Sequence, residues 1–341
     1  MSLLTVFGID FGSGSLKICR NEHGVVYNEK NTIAKAGKDK VVAFGDTAYE
    51  MLEKTPDEIT ISNPIRNGVI TDIDDMQYMF DSVMKKLSGF SGHFIRPGFL
   101  VAVPFDITEV ERKAFYDVIE SSVVRPRSVL LIEKSIADAV GIGLDVIGTK
   151  GMMVVDVGAE TTEISVMSLG GIVISKLITT GGSNLDDDIR IQVRKHHNVH
   201  IGNKTAEILK KDLATADGSG TAEFTAFGRH VLTGLPTEVQ IKEQVIMDAI
   251  IDHLMGIIDA VKMVLERTPP EISSDIKKSG IYLTGGSALI PDLKELINVQ
   301  TGLNVIMAED CNTSAVTGLE KISEDPVLMK FFKNARHARI N

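Results

Sequence analysis

The chain has 341 residues, 36 basic against 46 acidic side chains, a net charge of −10 and 43% hydrophobic residues; this is a globular composition long enough for about two domains. The acidic balance excludes a protein whose whole surface grips nucleic acid, and two cysteines, Cys19 and Cys311, exclude a disulfide framework and fit a reducing compartment. No apolar run reaches the roughly 18 residues of a membrane span, and the start Met1-Ser2-Leu3-Leu4-Thr5-Val6 lacks the basic region and cleavage site of an export signal.

In chain order, residues 6–18 read Val-Phe-Gly-Ile-Asp-Phe-Gly-Ser-Gly-Ser-Leu-Lys-Ile, and Gly24-Val25-Val26-Tyr27 follows. The pattern predicts strand, tight turn, strand, tight turn, strand. Leu100-Val101-Ala102-Val103-Pro104 reads as a buried strand stopped by proline. Thr108-Glu109-Val110-Glu111 is a capping box, opening a helix with Val110, Phe115, Val118 and Ile119 on its apolar side. At 152–164 the first pattern returns as Met-Met-Val-Val-Asp-Val-Gly-Ala-Glu-Thr-Thr-Glu-Ile, followed by Gly170-Gly171-Ile172-Val173-Ile174-Ser175. Asp10 and Asp156 are 146 apart, as are Gly12 and Gly158.

His196 and His200 are four apart, but no third ligand stands at suitable spacing, so they read as an exposed helix end. Cys19 and Cys311 read as buried small apolar residues. Residues 240–266 form a long helical pattern stopped by Pro269-Pro270. Ser279-Gly280-Ile281-Tyr282-Leu283-Thr284 reads as a strand, followed by Gly285-Gly286-Ser287 and a helix-like run at Pro291–Ile297. Strand and helix alternate throughout, which predicts an α/β fold.

The repeat carries a chemical meaning. Glycine at the turn lets the backbone approach a ligand and aim N–H groups at it. An Asp ending the strand, Asp10 or Asp156, sits where those groups converge and suits Mg2+ held through water. Two such turns would pinch a polyphosphate, and the Gly285-Gly286-Ser287 turn suits packing of backbone against a base or ribose. The chain has no Walker motif and no complete Gly-x-Gly-x-x-Gly, which argues against a P-loop NTPase or a dinucleotide enzyme.

Further stretches stand in order along the chain. They are Asn67-Gly68-Val69-Ile70-Thr71-Asp72, Ile107-Thr108-Glu109-Val110-Glu111-Arg112, Ser168-Leu169-Gly170-Gly171-Ile172-Val173, Leu232-Thr233-Gly234-Leu235-Pro236, Thr268-Pro269-Pro270-Glu271 and Leu283-Thr284-Gly285-Gly286. With the glycine turns they resemble MreB, the bacterial actin-like rod-shape family of the actin-fold ATPases. The resemblance covers nearly the whole chain. It implies an actin-like fold of two duplicated lobes with a nucleotide cleft between them: residues 1–149, rejoined by 318–341, and residues 150–317.

Residue by residue, it implies a first phosphate loop of Asp10, Gly12, Ser13, Gly14, Ser15 and Lys17. The second would hold Gly158, Ala159, Glu160, Thr161 and Thr162, with Asp156 beside the metal and the attacking water. Glu133 takes the place of the water-orienting residue. Gly182 lies on the nucleotide-facing turn, and Glu207 and Lys210 match an adenosine-contacting pair that would otherwise read as an ordinary i,i+3 ion pair. Gly285, Gly286 and Ser287 complete the set. The cofactors implied are ATP and Mg2+.

The resemblance also implies a cytoplasmic filament of self-associated copies on the inner face of the cell membrane, working with cell-wall elongation proteins and hydrolysing ATP slowly as a timer. No nucleic acid partner is implied. Membrane contact falls to Phe90, Phe94 and Ile95, in a glycine-rich loop flanked by Lys85, Lys86 and Arg96. The rival anchor is a C-terminal basic stripe of Lys330, Lys333, Arg336 and Arg339 beside Met329, Phe331 and Phe332.

Three stretches depart from the family pattern: Lys17 gives the first loop an actin-like character, Glu160 replaces a glycine in the second, and Lys134-Ser135 follows Glu133. A carboxylate at Glu160 would repel a phosphate unless turned away or neutralised. This departure keeps an alternative open: a non-polymerising actin-fold adaptor that docks at membranes.

Overall fold

The computed structural model describes residues 5–37, 40–88, 96–216 and 221–340, with the side chains of 88 and 335–340 excepted. The chain divides into two compact units. The first comprises Met1–Thr149, Met167–Ile172 and Asn312–Asn341, and the second Lys150–Val166 and Val173–Cys311.

The first unit opens on an antiparallel meander of β1 (Val6–Phe11), β2 (Ser15–Arg20) and β3 (Gly24–Lys30). A small sheet follows, built from β4 (Ile33–Ala36), β5 (Lys40–Phe44) and β6 (Ile59–Ser62), with α1 (Asp46–Glu50) inserted and the ribbon β7 (Ile65–Arg66), β8 (Val69–Ile70) after it. Then come α2 (Ile73–Ser88), β9 (Gly98–Val103), α3 (Glu109–Glu120), β10 (Ser128–Glu133) and α4 (Lys134–Ile142). Strands β9 and β10 add in parallel to β1, giving the order β10-β9-β1-β2-β3. Phe99 to Val103 are all buried, as expected of a parallel strand covered on both faces. The core beneath α2 and α3 is aromatic: Phe99 stacks on Phe7 at 5.7 Å and meets Phe80 edge-on at 5.9 Å, and Phe11 lies 6.0 Å from Phe115.

The second unit repeats this plan. β11 (Met152–Val157), β12 (Thr162–Ser168) and β13 (Gly171–Ile178) form the meander. Next are α5 (Gly182–His197), β14 (Val199–His200), α6 (Asn203–Leu213), β15 (Glu223–His230), β16 (Pro236–Lys242), α7 (Glu243–Arg267) and α8 (Pro270–Ser279). β17 (Ile281–Thr284), a 3-10 turn at Gly286–Leu289, α9 (Leu293–Thr301) and β18 (Val305–Met307) end it. The sheet order β13-β12-β11-β17-β18 matches the first sheet strand for strand, with β17 parallel to β11 and β18 parallel to β17. Two copies of one strand plan explain the 146-residue repeat.

The chain rejoins the first unit with α10 (Ser314–Glu324) and α11 (Pro326–Ile340). α10 lies so close to α4 that a Cβ on Gly318 would overlap the Ala137 carbonyl. A buried hydrogen bond from Ser314 Oγ to Asp138 Oδ1, 2.6 Å, pins the same crossing.

Several element boundaries differ from the sequence reading. The long helix begins at Glu243, because residues 236–242 alternate in burial with period two and pair with β15. Ser279 ends α8 and Gly280 caps it at φ 88°, so the strand starts at Ile281. Pro291 and Asp292 precede α9, which starts at Leu293. The capping box on Thr108 is present, with the Thr108 hydroxyl accepting from the Glu111 N–H and the Glu111 carboxylate accepting from the Thr108 N–H. Val110, however, is 80% exposed. It lies about 140° around the helix from Phe115, off the apolar face.

Candidate functional site

The first unit gathers its polar residues at one edge of its sheet. Asp10 sits near the end of β1 opposite Ala102, and Glu133 ends β10 opposite Val103. Both carboxylates therefore lie at the C-terminal edge of parallel strands, where open α/β sheets bind ligands. Lys17 faces Asp10 across the hairpin, with Nζ 3.3 Å from Oδ2. Burial works against the Asp10 charge, but Lys17, Lys134 and the Lys17 hydrogen bond outweigh it and hold the carboxyl below its ordinary range. The turn is pinned from both sides: Asn31 donates its side-chain N–H to the Gly12 carbonyl at 3.0 Å and its backbone N–H to that of Gly14 at 3.3 Å. Gly68 N–H donates to Ser13 Oγ at 3.2 Å. Arg112 on α3 reaches towards Glu133, Nη1 to Oε1 3.9 Å.

The lowered Asp10 value has a consequence for stability. Its contribution is full above the unfolded carboxyl value of about 3.9 and is lost as pH falls through the lower folded value. Urea denaturation across the acid range checks this: Asp10→Asn should flatten the acid-side loss of stability, and an unchanged slope would contradict it.

The second unit builds a tighter cluster. Asp156 is buried near the end of β11, opposite Thr284 of β17, so Asp156 and the Gly285 turn share a sheet edge. The β11–β12 turn closes with Gly158 N–H donating to the Thr161 carbonyl at 2.8 Å. The start of α5 docks on this turn: Gly182 N–H donates to the Gly158 carbonyl at 3.1 Å and Ser183 N–H to that of Ala159 at 2.6 Å. Ser287 Oγ donates to the same Gly158 carbonyl at 2.8 Å. Lys210 of α6 donates to the Gly182 carbonyl at 2.7 Å and to Asp186 at 2.8 Å. Turn, helix N-terminus, serine and lysine thus converge at one place.

A family model described as MreB/Mbl protein matches residues 4–330. The chain belongs to the MreB/Mbl family. It is 37% identical over 324 residues to the cell shape-determining protein MreB of Escherichia coli strain K12, covering 93% of this chain and 92% of that one. To the cell shape-determining protein Mbl of Bacillus subtilis strain 168 it is 34% identical over 305 residues, covering 89% and 91%. Among solved structures it resembles MreB5 of Spiroplasma citri bound to AMPPNP, with a TM-score of 0.91, 29% identity and coverage of 98% and 100%. The fold is therefore the actin-like one.

Against the expectations for an MreB/Mbl protein, the structure brings Asp10, Gly12, Ser13, Gly14 and Lys17 together, and separately Asp156, Gly158, Ala159, Gly182, Lys210, Gly285 and Ser287. Thr162 is buried, and its hydroxyl donates to the Thr180 carbonyl at 2.7 Å. Glu207 and Lys210 do not pair with each other; Glu207 meets Lys211 at 2.9 Å, one helical turn on, while Lys210 turns to α5. Asn31, Gly68, Arg112 and Asp186 are residues that sequence reasoning missed. For Asp186 the signal was its spacing, four residues after Gly182 on one helix.

Cys19 and Cys311 are buried, and burial pushes the Cys19 thiol up to about 12, so neither suits a nucleophile. His196 and His200 are exposed at the end of α5 and on β14. Phe90, Phe94 and Ile95 lie outside the described residues. In the C-terminal tail Phe332 is buried and Phe331 packs on Gly170, which commits both rings to the unit's own packing. Among the described residues, no helix is long and apolar enough to cross a membrane.

Proposed function

We propose that this MreB/Mbl-family chain binds Mg-ATP and polymerises into filaments on the inner face of the cell membrane, where it helps determine cell shape by organising cell-wall synthesis. The observation that carries the nucleotide reading is the convergence of the Gly158 turn, the α5 N-terminus, Ser287 and Lys210. The similar MreB5 structure, bound to AMPPNP, supports it. The two hairpins would hold phosphates through backbone N–H groups, and Lys17 would reach the β-phosphate.

The donor set fits magnesium. Among the described residues no group of three or more His, Cys, Asp or Glu side chains converges. Mg2+ keeps waters and takes one or two carboxylates, the role proposed for Asp10 and Asp156. Bound there, it would supply positive charge to neutralise a polyphosphate. Glu133, nearly buried at a strand end, would accept a proton from the attacking water. The proposed hydrolysis is slow and serves as a timer.

Calorimetry of the purified monomer tests the first clause, with saturable Mg-ATP binding expected; no heat would overturn it. Electron microscopy with Mg-ATP tests the second: filaments are expected, and a persistent monomer would favour the non-polymerising adaptor. The membrane clause rests on the apolar loop, and a Phe90→Ser, Phe94→Ser double variant should lose liposome pelleting. Unchanged pelleting would discard that loop as the anchor.

A further inference from the structure

We propose that Asp186 is a positioning residue that holds the Lys210 ammonium at the start of α5, so that a bound nucleotide senses Asp186 only through that lysine. The inference rests on the nucleotide reading above and adds a residue to its site.

Asp186 follows Gly182 by one helical turn, which puts the Asp186 side chain and the Gly182 carbonyl on one face of α5. Lys210 approaches that face from α6 and spans both. Nζ is 2.7 Å from the Gly182 carbonyl oxygen and 2.8 Å from each oxygen of the Asp186 carboxylate. Both side chains are largely buried, with 12% and 18% of their surface exposed, so solvent screens the pair less than it would at an open surface.

An ammonium has three N–H donors. The Gly182 carbonyl takes one and the Asp186 carboxylate another. The ammonium they hold sits beside the candidate phosphate turn. A Cβ placed on Gly182 would stand 3.1 Å from Lys210 Nζ and 2.7 Å from Ser287 Oγ, so the lysine and the serine flank the same point. Ser287 is bound in turn to the Gly158 carbonyl.

Neighbouring charges leave the pair intact. In the run Asp186-Asp187-Asp188, Lys210 meets the first carboxylate, Arg190 meets the second at 3.0 Å, and His253 Nε2 lies 2.7 Å from the third. Glu207, on the same helix as Lys210, is taken by Lys211. A sequence that looks like a solvated acidic patch is thus three separate pairings, and the first of them faces the candidate site. Lysine carries its charge on a flexible four-carbon stem. Without Asp186 it would spread over several rotamers, and ligand binding would have to order it again.

A double-mutant cycle on the full chain tests this, with Mg-ATP as the probe and calorimetry as the readout. Asp186→Ala, Asp186→Asn and Lys210→Met should each weaken binding roughly tenfold. The Asp186→Ala, Lys210→Met double variant should bind no more weakly than Lys210→Met alone, because Asp186 then has nothing to position. Asp186→Asn preserves volume and carries the test should the alanine variant fold poorly, with thermal melts followed in parallel. Unchanged binding in the Asp186 variants, or effects that add in the double variant, would overturn the proposal. Absence of Mg-ATP binding by the unaltered chain would instead overturn the nucleotide reading.

Discussion

Glu133→Gln is expected to lower ATP turnover by about a hundredfold or more while leaving nucleotide affinity within about threefold, since a positioned general base contributes on that scale. Glu133 is the last residue of β10, nearly buried, at the same sheet edge as Asp10. A strand end paired in parallel with β9 and continuing directly into α4 gives the side chain little freedom. The amide has the same shape but cannot take a proton from water, so the variant separates chemistry from folding. Phosphate release under saturating Mg-ATP reads the turnover and calorimetry reads the affinity. Equal turnover in the variant would remove Glu133 from the mechanism. The Arg112 guanidinium, 3.9 Å from the carboxylate, loses a charged partner in the same variant. A fall in melting temperature without a fall in turnover would therefore mark Glu133 as structural.

Gly285→Ala is expected to destabilise the second unit by about 2–5 kcal/mol, combining overpacking with backbone strain. Gly285 follows β17 with φ 91°, a conformation that side chains rarely adopt. Any Cβ there would overlap Asp156 Oδ1 and the Val157 carbonyl, so Asp156 or the strand must move. Gly285 N–H also donates to the Cys311 carbonyl at 3.1 Å, which ties the turn to the segment that leaves this unit. Urea denaturation measures the loss, and Mg-ATP binding should weaken with it because Asp156 is displaced. Wild-type stability in the variant would show that the turn relaxes freely and that its glycine is not required by this packing.

Much of this was legible in the amino-acid sequence. The paired strand–turn–strand patterns around Asp10 and Asp156 appear as β1–β2–β3 and β11–β12–β13, because apolar runs broken by glycine turns encode local structure directly. The Thr108 capping box and the stop of the long helix before Pro269-Pro270 were equally local. Errors clustered where period and context competed. Residues 240–242 carry helix-compatible side chains but complete a ladder with β15, and tertiary pairing overrides that propensity. Val110 is apolar yet exposed, since a capping box fixes the helix phase and leaves this position outside.

The side-chain partnerships of the candidate site were not legible, because they join residues far apart in the chain. The spacing of Glu207 and Lys210 allowed an i,i+3 pair, but only the packing of α6 on α5 decides that Lys210 meets Asp186 instead. Thr162 stands in the second turn motif, and only the position of Thr180, just past β13, decides where its hydroxyl donates. By itself the sequence determined the family, the duplicated strand plan and the identity of the two strand-end carboxylates, because each is written in a contiguous stretch. The tertiary structure alone decided which cation answers which carboxylate and which glycine is sterically required, because those depend on distances between segments that local patterns do not contain.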